Sequence, residues 1–172
     1  MMVLRAPSRR VLRAWGLAFA IASVILPALP MGPLFAQPPL PLAVLWAAYG
    51  WAAEDESGWR APITLALLGL LHDQLAGGPY GLFMMIYLAA YLIGRIAAVV
   101  MSAPNLVSLW GGFIATAALT ILIVMGVARL LTPIAVEPYI EAALITAIVF
   151  PIVRPLYMST GAALRPQPGG RR

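Results

Sequence analysis

The chain contains no cysteine and no lysine, and only one histidine. Without cysteine there is no disulfide, no thiolate metal site and no cysteine nucleophile, and nothing in the composition reports the redox compartment. One histidine excludes a multi-histidine metal centre. Charge is scarce as well: charged residues make up 10% of the 172 residues, against roughly a quarter in soluble domains. Familiar catalytic patterns are missing too, with no G-x-S-x-G elbow, no H-E-x-x-H and no glycine-rich loop ending in Lys-Ser or Lys-Thr. No catalytic, cofactor-binding or metal-binding residue is therefore expected, and the chain is read as a non-enzyme.

What fills the space is hydrocarbon. Apolar residues are 62% of the sequence and the mean hydropathy is +0.92, which selects an all-α polytopic membrane protein. All eleven basic residues are arginine and the pI is about 10.2. Such a pI also occurs in nucleic-acid-binding proteins, but here the arginines lie at the two chain ends and beside apolar runs rather than on one soluble face. Membrane topology accounts for them, and no nucleic-acid partner is expected.

Six apolar segments follow in order. A basic N-terminus (1–13) with Arg5, Arg9, Arg10 and Arg13 precedes a run from about Ala14 to Leu29. Read as a signal peptide, this stretch would be cleaved most conveniently after Ala36, which puts Leu34 where a small residue is preferred, so an uncleaved first span is expected. A proline-rich link from Pro27 to Pro41 leads to a second segment, Leu40 to Trp51 or Ala53. At about 12 to 14 residues this segment is short for a roughly 30 Å hydrocarbon layer, and is either helped by neighbours or partly re-entrant. After the polar loop from Ala53 to Arg60 come segments at Pro62 to Leu75, Gly81 to Met101, Val107 to Leu131 and Tyr139 to Tyr157. The transmembrane domain thus covers 14–157, in one bundle of about six helices, and a proline-, glycine- and arginine-rich tail (158–172) is expected to be disordered.

Arginine placement orients the bundle. With the N-terminus in the cytoplasm, every arginine except Arg129 falls on or near the inner side, which puts both termini there.

The stretch from Gly69 to Arg95 breaks the apolar monotony. It holds His72, the adjacent Asp73 and the run Gly77-Gly78-Pro79-Tyr80-Gly81 between two apolar segments. Proline cannot continue a helix and glycine accepts backbone angles other residues resist, so the chain reverses here. Gly69, Asp73 and Gly77 share one face if the first helix reaches that far, a face on which a carboxylate can be closely approached. An acid inside a membrane segment is a functional candidate; a cap for the following turn is the structural alternative. His72 points about 100 degrees away from Asp73 on a helix, which suits an interfacial residue better than a ligand or proton relay.

Two further patterns stand out. Met84, Tyr87, Tyr91 and Arg95 form a stripe on the fourth segment, with Arg95 placed to snorkel near Tyr91. Ser108, Gly112, Thr116 and Thr120 recur every four residues on the fifth, a helix-packing ridge in lipid. The pair Glu137 and Glu141, interrupted by Pro138, reads as a helix start rather than an acid pair.

The motif Gly69-Leu70-Leu71-His72-Asp73, then Gly77-Gly78-Pro79-Tyr80-Gly81, then Tyr87 and Tyr91 on a long apolar helix resembles the signature of the MreD family of bacterial rod shape-determining membrane proteins. The resemblance lends weight to Gly69, Asp73, Gly77, Pro79 and Gly81 as structural or interface residues, and adds nothing to His72. It implies an inner-membrane scaffold of the cell-elongation machinery, with MreC as direct partner and RodA, a class B penicillin-binding transpeptidase and MreB in the same complex, besides membrane lipid. It also implies a fold like that of the substrate-binding subunit of energy-coupling-factor transporters. From that fold comes the alternative function, a vitamin-type small-molecule-binding subunit.

Overall fold

The computed structural model describes residues 9–26, 42–54, 58–77, 79–100, 105–131 and 135–158. The proline-rich link, Asp55, Glu56, Gly78, the turns at Ser102 to Pro104 and Thr132-Pro133, Arg5 and the arginine-rich tail lie outside them.

Six helices make up the described secondary structure: α1 (Arg9–Ile25), α2 (Val44–Glu54), α3 (Arg60–Ala76), α4 (Leu82–Val100), α5 (Leu106–Leu131) and α6 (Glu137–Tyr157). Among the described residues there is no strand. Three of the helices, α4, α5 and α6, are long and apolar enough to cross a membrane. At about 1.5 Å per residue they measure about 28, 39 and 31 Å, against a hydrocarbon core of about 30 Å. Their outward faces are apolar and bare: Leu92, Ile96, Val99, Leu122, Leu130, Ile148 and Ile152 are all exposed. Water would not tolerate that much contiguous apolar surface, whereas lipid does so at no cost. The chain is a membrane protein.

At the centre lies α2, the shortest helix, with 11 residues. Val44 to Gly50 and Ala52 are all buried, and the helix touches each of the other five. A helix that is apolar all round belongs inside a bundle, and one surrounded by protein has no lipid-facing length to match. This is how a helix of about 16 Å is accommodated. Tyr49 anchors it, packing edge-on against Phe113 of α5 and Phe150 of α6 at 5.5 and 5.8 Å, while those two rings stack on each other at 4.3 Å. Close approach is secured by Gly50, where a Cβ would lie 2.6 Å from Cβ of Tyr157, and by Gly16 of α1, where it would lie 2.9 Å from the Leu156 carbonyl oxygen.

Two tryptophans and one threonine tie α6 to its neighbours. Oγ1 of Thr146 accepts from the Leu42 amide at 2.8 Å and donates to the Ala142 carbonyl at 2.5 Å, while the Thr146 carbonyl accepts from Nε1 of Trp46 at 2.8 Å. One turn before Pro151, the Ala147 carbonyl accepts from Nε1 of Trp110 at 2.8 Å. That carbonyl needs a donor because proline at position 151 has no amide hydrogen to give it. In lipid a freed backbone group must find a substitute, and α5 supplies one.

Candidate functional site: the clasp between the third and fourth helices

The reversal expected between Gly77 and Gly81 is a tight hairpin. α3 stops at Ala76 because Gly77 adopts φ +65°, the left-handed angle that ends helices and that glycine accepts most easily. Gly77 therefore lies just beyond the helix and is exposed, with open space where a Cβ would be. Its contribution is conformation, not close approach. The same holds at Gly81, with φ +87°. Pro79 is exposed in the turn, and its carbonyl accepts from the Leu82 amide at 3.3 Å as α4 begins.

Asp73 closes the hairpin. It is 2% exposed on the inner face of α3, and both carboxylate oxygens are engaged. Oδ2 accepts from the Gly81 amide at 2.9 Å and Oδ1 from the Phe83 amide at 2.8 Å. The Gly81 carbonyl already accepts from Met85 at 2.9 Å, so Gly81 is the N-cap of α4. A helix start has amides with no intrahelical partner, normally satisfied by the cap's own side chain. Glycine has none, and the neighbouring helix lends a carboxylate instead. The negative charge also sits at the positive end of the α4 dipole.

Gly69 makes this possible. It is one turn before Asp73 on the buried face, and a Cβ there would run into the backbone of Met84. α3 and α4 thus meet backbone to backbone, close enough for a short aspartate side chain to reach across.

His72 joins the clasp from a different angle. Its ring stacks on Phe83 at 3.6 Å with an interplanar angle of 9°, and Nδ1 shares a hydrogen bond with the Tyr87 hydroxyl at 2.5 Å. Phe83 reaches further, with its ring 6.0 Å from that of Tyr139 on α6. Phe83 did not stand out in the sequence, although its position one turn before Tyr87 carried the signal.

The stripe on α4 faces inward: Tyr87 and Tyr91 are buried, Met84 and Arg95 half-buried. On α5 the ridge does likewise, with Thr116 and Thr120 buried and Ser108 and Gly112 half-buried. Through that face their helix packs against α4, α6 and α2 of the same chain. Ser108 has a second duty, since its amide donates to Oδ1 of Asn105 at 2.7 Å in the cap of α5.

Chemically the arrangement is one of positioning. The carboxylate is committed to two amides, and the imidazole to an aromatic stack and a phenol. No cluster of three or more potential metal ligands occurs among the described residues. No family model, curated protein or solved structure matches the chain.

Proposed function

We propose that this chain is a non-enzymatic scaffold of the MreD type, set in the bacterial inner membrane as a bundle of six spans with both termini in the cytoplasm. The observation that carries the reading is that Gly69, Asp73, Gly77 and Gly81, the residues behind the resemblance, act as one unit in the α3–α4 hairpin. Asp73 links two helices and Gly69 lets them touch, while Gly77 and Gly81 set the turn. A motif spent on rigidity suits a protein that works by holding others in place. On this reading the direct partner is MreC, and RodA, the class B penicillin-binding transpeptidase and MreB belong to the same assembly.

An affinity-tagged chain solubilised in mild detergent is expected to bring down MreC, and its removal from a rod-shaped host to give rounded cells. Retained rod shape together with no MreC recovery would contradict the proposal. A small molecule bound at one per chain in the same preparation would support the substrate-binding-subunit reading instead.

A further inference from the structure

We propose that the cleft between α5 and α6 is a binding site for an anionic phospholipid, one acyl chain lying in the cleft and the headgroup phosphate resting on Arg129. The cleft has a volume of about 410 Å³ and is walled by Ile114, Ile121 and Met125 on one side and Ile140 and Leu144 on the other. Every lining residue except Arg129 is apolar. Arg129 lies in the last turn of α5, at one end of the cleft, and is exposed. From Ile114 to Arg129 the cleft follows α5 for about 22 Å.

Shape and charge select the occupant together. A partner helix of about 10 Å diameter is wider than a single chain of methylenes and would meet the cleft with one face only. An extended hydrocarbon chain is slender enough to lie inside. No acidic side chain among the described residues pairs with Arg129, and the nearby acids of α6, Glu137 and Glu141, are exposed and do not line the cleft. Among the described residues no acid supplies the guanidinium's counter-charge, so an anion of the surrounding membrane can do so. At the depth where a membrane helix ends, a lipid phosphate is the anion in reach, and guanidinium binds phosphate through paired hydrogen bonds. Residence on the C-terminal turn of α5 also leaves the arginine favourably placed on the helix dipole.

The test is native mass spectrometry of the full chain released from a mixture of equal phosphatidylglycerol and phosphatidylcholine with matched acyl chains. Wild type is expected to keep one phosphatidylglycerol in preference to phosphatidylcholine. Arg129→Ala should lower phosphatidylglycerol retention about fivefold and phosphatidylcholine retention by less, and Arg129→Lys, which returns the charge without the paired hydrogen bonds, should restore part of the preference. Ala118→Phe, which fills the cleft, should lower both lipids. Equal retention of the two lipids by wild type, or unchanged phosphatidylglycerol on Arg129→Ala, overturns the site. So does a photo-crosslinker at Leu144 that captures a partner protein's helix in cells and no lipid. None of these readouts involves MreC, so the site stands or falls separately from the scaffold role.

Discussion

Asp73 is a buried acid whose two carboxylate oxygens both accept from backbone amides. Its two hydrogen bonds are charge-assisted, and removing the carboxylate strands two amides at the start of α4. Asp73→Leu should destabilise the protein by about 3 kcal/mol, a fall of about 6–12 °C in melting temperature in detergent. Asp73→Asn keeps one acceptor oxygen and should lose about half as much, and an unchanged melt for the leucine variant would sink the clasp. Gly69→Ala forces Cβ into the Met84 backbone and should be among the most damaging glycine substitutions. Gly111→Ala meets open space and should be neutral or gain up to about 1 kcal/mol from helix propensity. The acid and the glycines were visible in the sequence. Which amides Asp73 would reach was not, because that depends on the separation of α3 and α4, which Gly69 sets through a residue on the other helix.

Among the elements, α6 shows how a proline is tolerated in a membrane helix. Pro151 could be read from the sequence as a break in the ladder, but the donor that repairs it, Trp110, lies 37 residues before the Ala147 carbonyl it serves. Long-range partners of this kind have no local signature. Trp110→Phe should cost about 1 kcal/mol in the natural background. In the Pro151→Ala background residue 151 regains an amide hydrogen for the Ala147 carbonyl, and the same substitution should cost measurably less. A double-mutant melting cycle is expected to show a coupling of at least about 0.5 kcal/mol, and strict additivity would mean that the indole is not the substitute donor. Thr146→Val removes the acceptor of the Leu42 amide and should cost about 1–3 kcal/mol, read from the same melts.

For the whole molecule, the lesson concerns α2. Composition and apolar runs pointed to helices near the segments observed, since each long apolar stretch has one way to satisfy its backbone in lipid. They did not say which helix would be central. An apolar helix can be surrounded by protein or by lipid, and the two environments look alike in hydropathy. Length carried a hint, because a segment too short to span can be the one that never meets lipid on any side. Glycines at positions 16 and 50 carried another, but their contact with Leu156 and Tyr157 joins segments far apart in the sequence and has no local trace.

The central claim is a bundle that crosses the membrane with the α3–α4 clasp at its outer surface. Because the natural chain lacks cysteine, single cysteines can be placed and probed in intact cells with a membrane-impermeant maleimide. Tyr80→Cys, at the exposed tip of the hairpin, is expected to label from outside, and Ala162→Cys in the tail only after the membrane is opened. Labelling of the tail in intact cells, or a hairpin tip that reacts only after lysis, would contradict the account.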